Sequence, residues 1–292
     1  MKLKWFAPTP VQALCILNSL KGKDVLTKAK TGSGKTGAFA IPVVQRILSQ
    51  KDLKNENSIK ALILAPSTEL CEQIRVVFTE ICFYSSHQIR ILRISPDESL
   101  QAQEPRLGEN PDILIATPGT LVKHLQRESA DLSALQMLVI DEADLILSYG
   151  HKADIQKIKT YLPSVLQSFM MSATLSDDVT ELKNQVLHNP VLLELKEVAK
   201  VNLKQNVIHC DEKDKFLLIY VLLKLKLVPG KTIIFVNDIE RCFWLKLFFE
   251  RFNIQCAVLN SELPQNSRVN IIKQFNKGLF DLLIATEETN NE

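Results

Sequence analysis

Residues 29–36 read Ala29-Lys30-Thr31-Gly32-Ser33-Gly34-Lys35-Thr36, and that run limits what the surrounding chain can fold into. Its glycines let the backbone curl with N–H groups pointing inward, which forms a cradle for phosphate oxygens. Lys35 can then reach terminal phosphates, and the Thr36 hydroxyl can sit on Mg²⁺. A loop of this kind needs a strand before it and a helix after it. Residues 24–27 supply a short strand, and residues 35–48 a helix with Phe39, Val43, Ile47 and Leu48 on one side. The helix N-terminus adds partial positive charge where phosphate would lie. The strict pattern opens on glycine, whereas this one opens on Ala29.

The chain has 292 residues, room for two domains or for one and a large part of another. Its net charge of +2 neither demands nor excludes a nucleic-acid partner, because a basic groove can hide inside a balanced total. Cys15, Cys71, Cys82, Cys210, Cys242 and Cys256 form no CxxC pair. That spacing points to buried, reduced thiols in an intracellular protein rather than to a zinc site. Residues 1–5 lack the apolar core of a signal peptide. The most apolar stretch, residues 216–228, is interrupted by Lys224 and Lys226 and is too short for a bilayer, so it reads as a core helix.

Continuous apolar runs at residues 60–65, 89–94, 112–116, 137–140 and 169–171 alternate with amphipathic segments such as 68–83. Runs of this kind, rather than alternating ones, mark parallel strands covered on both faces. The grammar is βαβ and gives a doubly wound sheet. A charged stretch without glycine, residues 194–204, reads as a linker. The same rhythm then resumes, with strands at 207–209, 232–236, 257–259 and 282–285 and helices at 213–227, 239–252 and 265–276. The domains expected are 1–196 and 207–292, joined by 197–206. His124, His151 and His188 lie at no metal-ligand spacing and read as solvated or helix-end residues. Phe243, Trp244, Phe248 and Phe249 read as a packed helix face.

Asp141-Glu142-Ala143-Asp144 follows the apolar run ending at Ile140. Carboxylates at the C-terminal end of a parallel strand sit beside the phosphate loop in such a sheet. Asp141 can hold Mg²⁺, and Glu142 can orient or deprotonate an attacking water. Ser172-Ala173-Thr174 follows another short strand and gains meaning only in this company.

Together these motifs resemble those of the DEAD-box ATP-dependent RNA helicases. Residues 8–12, Pro8-Thr9-Pro10-Val11-Gln12, look like that family's Q motif, with Thr9 and Gln12 at the nucleotide and Gln12 reading the adenine edge. The segments with Pro66, Ser67 and Glu69, and with Thr117, Pro118 and Gly119, look like its RNA-facing stretches. In the second half Asn237, Gln265, Arg268 and Thr286 fall in stretches similar to its later motifs. The resemblance covers nearly the whole chain and implies two RecA-like lobes that close over ATP, Mg²⁺ and RNA together. Lys35 and Thr36 would bind phosphate and metal, Asp141 and Glu142 would handle metal and water, and Ser172 and Thr174 would couple the lobes. RNA would be held mainly by its sugar–phosphate backbone, with weak sequence preference. Residues 168–174, 187–190, 214–227 and 259–268 look most like the nucleolar branch acting in large ribosomal subunit assembly. That likeness implies pre-ribosomal RNA, a nucleolar or nuclear location, no membrane, and room for protein partners.

The sequence departs from that family in four ways. Thr68 and Thr120 stand where basic residues are usual, which removes two phosphate-pairing cations and makes a shallower salt dependence of RNA binding the expectation. No Gly-Gly pair lies between Ser95 and Leu107. The sequence ends at Glu292, before the segment that supplies the family's arginine fingers, which are worth about 10³–10⁵ in rate. An incomplete, poorly stable second lobe is therefore expected. Three readings stay open: an ATP-dependent RNA helicase, a catalytically impaired ATP- or RNA-binding scaffold, and a fragment of a normal helicase.

Overall fold

Several helices in this chain begin where the sequence places a side-chain acceptor. Thr9 opens α1 (Pro10–Leu20): its hydroxyl accepts from the Gln12 amide, and the Gln12 side chain accepts in return from the Thr9 N–H. That reciprocal box satisfies two N–H groups that a helix start otherwise leaves bare, and Pro10 at the first position needs no N–H. The computed structural model describes residues 5–51, 57–194 and 203–286, in two compact units, Met1–Val198 and Ala199–Glu292.

In the first unit β1 (Val25–Lys28) leads into α2 (Lys35–Lys51), and β2 (Ala61–Leu64) into α3 (Thr68–Ile81), capped by Ser67. Then come β3 (Ile91–Arg93), α4 (Leu100–Gly108) capped by Ser99, β4 (Ile113–Ala116) and α5 (Pro118–Gln126). The unit closes with β5 (Met137–Ile140), α6 (Ala143–Ser148), α7 (Lys152–Lys159), β6 (Gln167–Ser172), α8 (Asp177–Val186) capped by Ser176, and β7 (Val191–Glu194). All seven strands pair in parallel, in the order β3-β4-β2-β5-β6-β1-β7. Alternate residues of each strand feed opposite faces. Val25, Ile63, Val139 and Phe169 enter one core, and Leu26, Leu62, Leu138 and Met170 the other. Both faces are therefore apolar, which is why the strands read as unbroken hydrophobic runs.

Two buried polar side chains fasten the middle of this sheet. Asp24 accepts from the Ser168 N–H at 2.9 Å and from the His188 N–H at 2.7 Å, so one carboxylate ties the strands on either side of β1. Gln167 donates to the carbonyls of Ser19 and Lys23 and accepts from Arg46 at 2.7 Å.

The second unit opens with a short 3-10 turn, Glu212–Asp214, and α9 (Lys215–Lys224). β8 (Thr232–Val236), α10 (Ile239–Arg251), β9 (Ala257–Leu259), α11 (Gln265–Lys277) and β10 (Leu282–Thr286) follow. Its described strands make a parallel sheet in the order β8-β10-β9. Leu245, Phe249, Val258, Leu282 and Ile284 form its core.

Several expectations need correction. Residues 207–209 form no strand; Val207 is 80% exposed, and no described strand lies beside it. The expected core helix at 216–228 is a helix only to Lys224 and has no fully buried residue. Residues 243–249 split by helical face: Phe249 is buried and Phe248 half-buried, while Phe243 and Trp244 are exposed. His124 is not solvated but buried, with Nδ1 2.8 Å from the Ser129 hydroxyl. Cys210 is exposed, unlike the buried Cys15, Cys71, Cys82 and Cys242. Glu194 closes β7 instead of opening the linker, and residues 195–202 of that linker lie outside the described residues.

The small second core, with Ile233 and Phe235 exposed on β8, predicts unequal stability. Limited proteolysis is expected to leave a resistant first unit while the second is digested; equal resistance of the two would contradict this.

Candidate nucleotide and RNA site

β1 runs straight into the phosphate loop, and the Ala29 N–H donates to the Ser172 carbonyl at 3.0 Å, so the loop starts docked on the end of β6. Gly34 has φ +93°, a region side chains rarely adopt. A Cβ there would stand 2.9 Å from both Gln12 Nε2 and Thr9 Oγ1. Instead Gln12 Nε2 donates to the Gly34 carbonyl at 3.2 Å. Gly37, in the first turn of α2, leaves the same room: a Cβ would meet Gln12 Nε2 at 2.7 Å and the Trp5 ring at 3.0 Å. Thr9 and Gln12 thus lie against the loop, and Trp5 packs on the helix that the loop feeds. Lys30, Thr31 and Gly32 are exposed, Ser33 and Thr36 half-buried, Ala29 and Lys35 buried. The Ser33 hydroxyl donates to the Lys30 carbonyl at 2.8 Å.

The acidic segment begins at the end of β5. Glu142 sits at φ +49°, an unusual left-handed backbone for a non-glycine residue. Its carboxylate lies 2.9 Å from Lys35 Nζ, both side chains nearly buried. Asp141 is buried as well, and its Oδ1 accepts from the Glu142 N–H at 3.1 Å. Burial, reinforced by the neighbouring Glu142 charge and opposed by Lys35, pushes the Asp141 carboxyl up to about 6. The Thr36 hydroxyl and Asp141 carboxylate are hard oxygen donors of the kind Mg²⁺ takes, and a divalent cation would relieve the buried Asp141 charge. No group of three or more His, Cys, Asp or Glu among the described residues could hold a metal alone.

Asp144 is the member of the acidic motif to which reading the sequence gave no role of its own. Its Oδ2 accepts from the Ala173 N–H at 3.2 Å, the Thr174 N–H at 3.1 Å and the Thr174 hydroxyl at 3.1 Å. One carboxylate thus locks residues 172–174 to the acidic segment. The available signal was its place one helical turn after Asp141. Ser172 is buried with an unbonded hydroxyl, while Thr174 is exposed.

The remaining candidates cluster at strand ends. Pro66, Ser67 and Glu69 follow β2, and Thr117, Pro118 and Gly119 follow its neighbour β4; the Ala65 N–H donates to the Ala116 carbonyl at 3.2 Å between them. Pro66, Thr117 and Pro118 are buried, leaving Ser67, Glu69 and Gly119 better placed for contact. Thr120, at one of the positions lacking a cation, bonds Thr117 at 2.9 Å. In the second unit Asn237 follows β8 and Thr286 ends β10, adjacent strands in register. Gln265 and Arg268 lie in the first turn of α11.

A phosphate loop, a buried acidic strand end and a tethered hydroxyl segment on one parallel sheet are the arrangement of a RecA-like nucleotide-binding domain. Residues 9–182 match the DEAD/DEAH box helicase family and residues 214–289 the helicase conserved C-terminal domain, so the chain belongs to the DEAD-box helicases. It is 50% identical to a probable ATP-dependent RNA helicase, ddx56, of Dictyostelium discoideum, over 99% of this chain and 42% of that protein. It is 46% identical to the ATP-dependent RNA helicase dbp9 of Schizosaccharomyces pombe, over 99% of this chain and 49% of that protein. The chain thus spans about half the length of the curated relatives it matches. Among solved structures it resembles S. cerevisiae Dbp5 bound to RNA and ADP BeF3, at TM-score 0.81 and 27% identity over 97% of this chain and 71% of that one. A DEAD box protein from Methanococcus jannaschii matches at TM-score 0.60 and 25% identity, over 96% and 74%.

Two outcomes follow for the site. Because the folded-state pKa of Asp141 is raised, ionising it costs stability as pH rises from about 4 through about 6. Asp141→Asn is expected to remove that loss, gaining about 1–3 kcal/mol at pH 8 and little at pH 4 in urea titrations of the first unit. An equal effect at both pH values would contradict the assignment. Asp144→Ala removes the shared acceptor of the residue 173 and 174 donors, which water can partly replace, and is expected to cost about 0.5–1.5 kcal/mol, with faster hydrogen exchange confined to residues 172–174.

Proposed function

We propose that the chain is an ATP-dependent RNA helicase that binds ATP with Mg²⁺ at the phosphate loop and RNA at the strand ends of both units. One observation carries the reading: β1, β6 and β5 are neighbours, so Lys35, residues 172–174 and Asp141 with Glu142 issue from one edge of the sheet. Residues 29–36 would surround the phosphates, with Thr9 and Gln12 at the base, and Lys35 would neutralise terminal phosphate charge. Thr36 and Asp141 would hold Mg²⁺, which when bound offsets charge developing on the phosphoryl group. Glu142, whose carboxylate lies 2.9 Å from Lys35 Nζ, would orient the attacking water or accept a proton from it. Ser172 and Thr174, fastened through Asp144, would carry the state of the nucleotide site to bound RNA.

RNA would meet Pro66, Ser67, Glu69, Thr117, Pro118 and Gly119 in the first unit and Asn237, Gln265, Arg268 and Thr286 in the second. Contacts of this kind, to sugar and phosphate, give weak sequence preference. The branch-like segments of the sequence support pre-ribosomal RNA as substrate and a nucleolar or nuclear site of action in large-subunit assembly. No helix among the described residues is long and apolar enough to cross a membrane. Domains at 1–196 and 207–292 with a linker at 197–206 fit this division of labour.

The test is ATP turnover with and without single-stranded RNA, beside Lys35→Ala. The expected outcome is RNA-stimulated hydrolysis that falls by about 10²-fold or more in the variant. ATP binding lost in Lys35→Ala without any turnover would make the chain a nucleotide binder that does not hydrolyse. Absence of ATP binding altogether would overturn the proposal. With Thr68 and Thr120 neutral, RNA affinity is also expected to fall less steeply with salt than in the variant Thr120→Arg, whose log–log slope should steepen by about one unit.

A further inference from the structure

The second unit carries a cavity of about 530 Å³ far from its RNA-facing candidates. Thr232 and Leu282, which line it, are the first residues of β8 and β10, whereas Asn237 and Thr286 lie at the opposite ends of those strands. Leu223, Ile254, Phe280 and Leu282 give it an apolar floor. Lys224 and Lys226 stand on its rim, both exposed, and neither pairs with a carboxylate among the described residues. The rim is also shaped rather than loose. Lys226 takes φ +53°, its N–H donates to the Leu223 carbonyl at 3.0 Å, and the Leu227 N–H donates to the Leu222 carbonyl at 3.0 Å, which closes α9. Leu279, also in the lining, is 66% exposed, and Val228 is partly so. Only Asp281 brings negative charge to the lining.

We infer that this cavity is a docking site for an acidic protein segment that inserts an aliphatic or aromatic anchor beside Leu279 and sets its carboxylates against Lys224 and Lys226. Charge complementarity selects the occupant. Two cations that pair with no carboxylate among the described residues, at the mouth of a largely apolar hollow, favour an acidic peptide with a hydrophobic anchor. RNA fits less well, because the lining offers no array of exposed aromatic faces for bases and no cationic track beyond the two lysines. Because the cavity lies at the N-terminal ends of the strands, an occupant there leaves Asn237 and Thr286 open, so partner and RNA can be bound together.

Short random peptides displayed on phage, selected on the chain and counter-selected on Lys224→Glu/Lys226→Glu, provide the test. The expected result is enrichment of acidic peptides with one or two large apolar residues. Measured by fluorescence anisotropy, synthetic versions should bind the double variant about tenfold or more weakly. They should also bind Leu279→Ser more weakly, and binding should be insensitive to added single-stranded RNA. These three residues are exposed, so circular dichroism of the variants should match the parent. Selected peptides without acidic character, affinity unchanged in both variants, or no enrichment over the double variant would overturn the proposal. So would a labelled oligouridine whose binding drops in the double variant and competes with the peptides, which would make the cavity an RNA surface.

Discussion

The position of β6 between β1 and β5 is the constraint on which the site depends. Parallel pairing sets Lys28 opposite Ser172 on one side and Ile140 opposite Met170 on the other. Each strand then releases its next residues at the same edge: Ala29 from β1, Ala173 from β6, Asp141 from β5. The chain must travel more than a hundred residues between the first of these and the last, yet one sheet register brings them together. Asp24 and Gln167 guard that register from the other end of the strands. A slip of one residue would exchange the two apolar faces and take the Asp24 acceptors away from the Ser168 and His188 N–H groups.

What the sheet assembles is costly, and the costs sit at the chemistry. Lys35, Glu142 and Asp141 are all buried. The pair Lys35–Glu142 cancels one charge, which leaves Asp141 as the group whose ionisation burial resists. Glu142 also holds a left-handed backbone, which turns the chain sharply between β5 and α6. Strain and an incompletely compensated charge are common where a site is organised for a ligand rather than for stability. The same logic explains Gln12, whose amide is used twice within the protein, once to close the start of α1 and once to hold Gly34. Under the proposed function, the residue that would meet the base also supports the loop that would meet the phosphates.

The first unit was readable in the sequence because its information is local. Runs such as residues 61–64 and 137–140 are apolar at every position, and that pattern has one cheap solution, a strand covered on both faces. The phosphate loop was readable for a similar reason, since glycines and lysine in frame constrain their own backbone. What escaped depended on partners distant in the chain. Asp144 looks like any acidic residue in a helix until β6 brings residues 173 and 174 to it. His124 does sit at a helix end, but only the fold shows that it is buried against Ser129 rather than solvated. β7 was hidden because Val191-Leu192-Leu193-Glu194 alternates between faces at the sheet edge and ends in charge. Conversely, Val207 and Ile208 have strand character but no described neighbour to pair with, and propensity without a partner does not make a strand.

Under the proposed function, charge would divide the work of gripping RNA unevenly between the two units. Thr68 and Thr120 bring no cation to the ends of β2 and β4, and Thr120 is spent on a hydrogen bond to Thr117. Binding there would rest on hydroxyls, backbone N–H groups and the N-terminus of α5, which position a backbone without much counterion release. Arg268, in the first turn of α11, would then supply the stronger charge from the other unit. Exchanging a threonine for arginine in the first unit would shift that balance and tighten RNA at the expense of release.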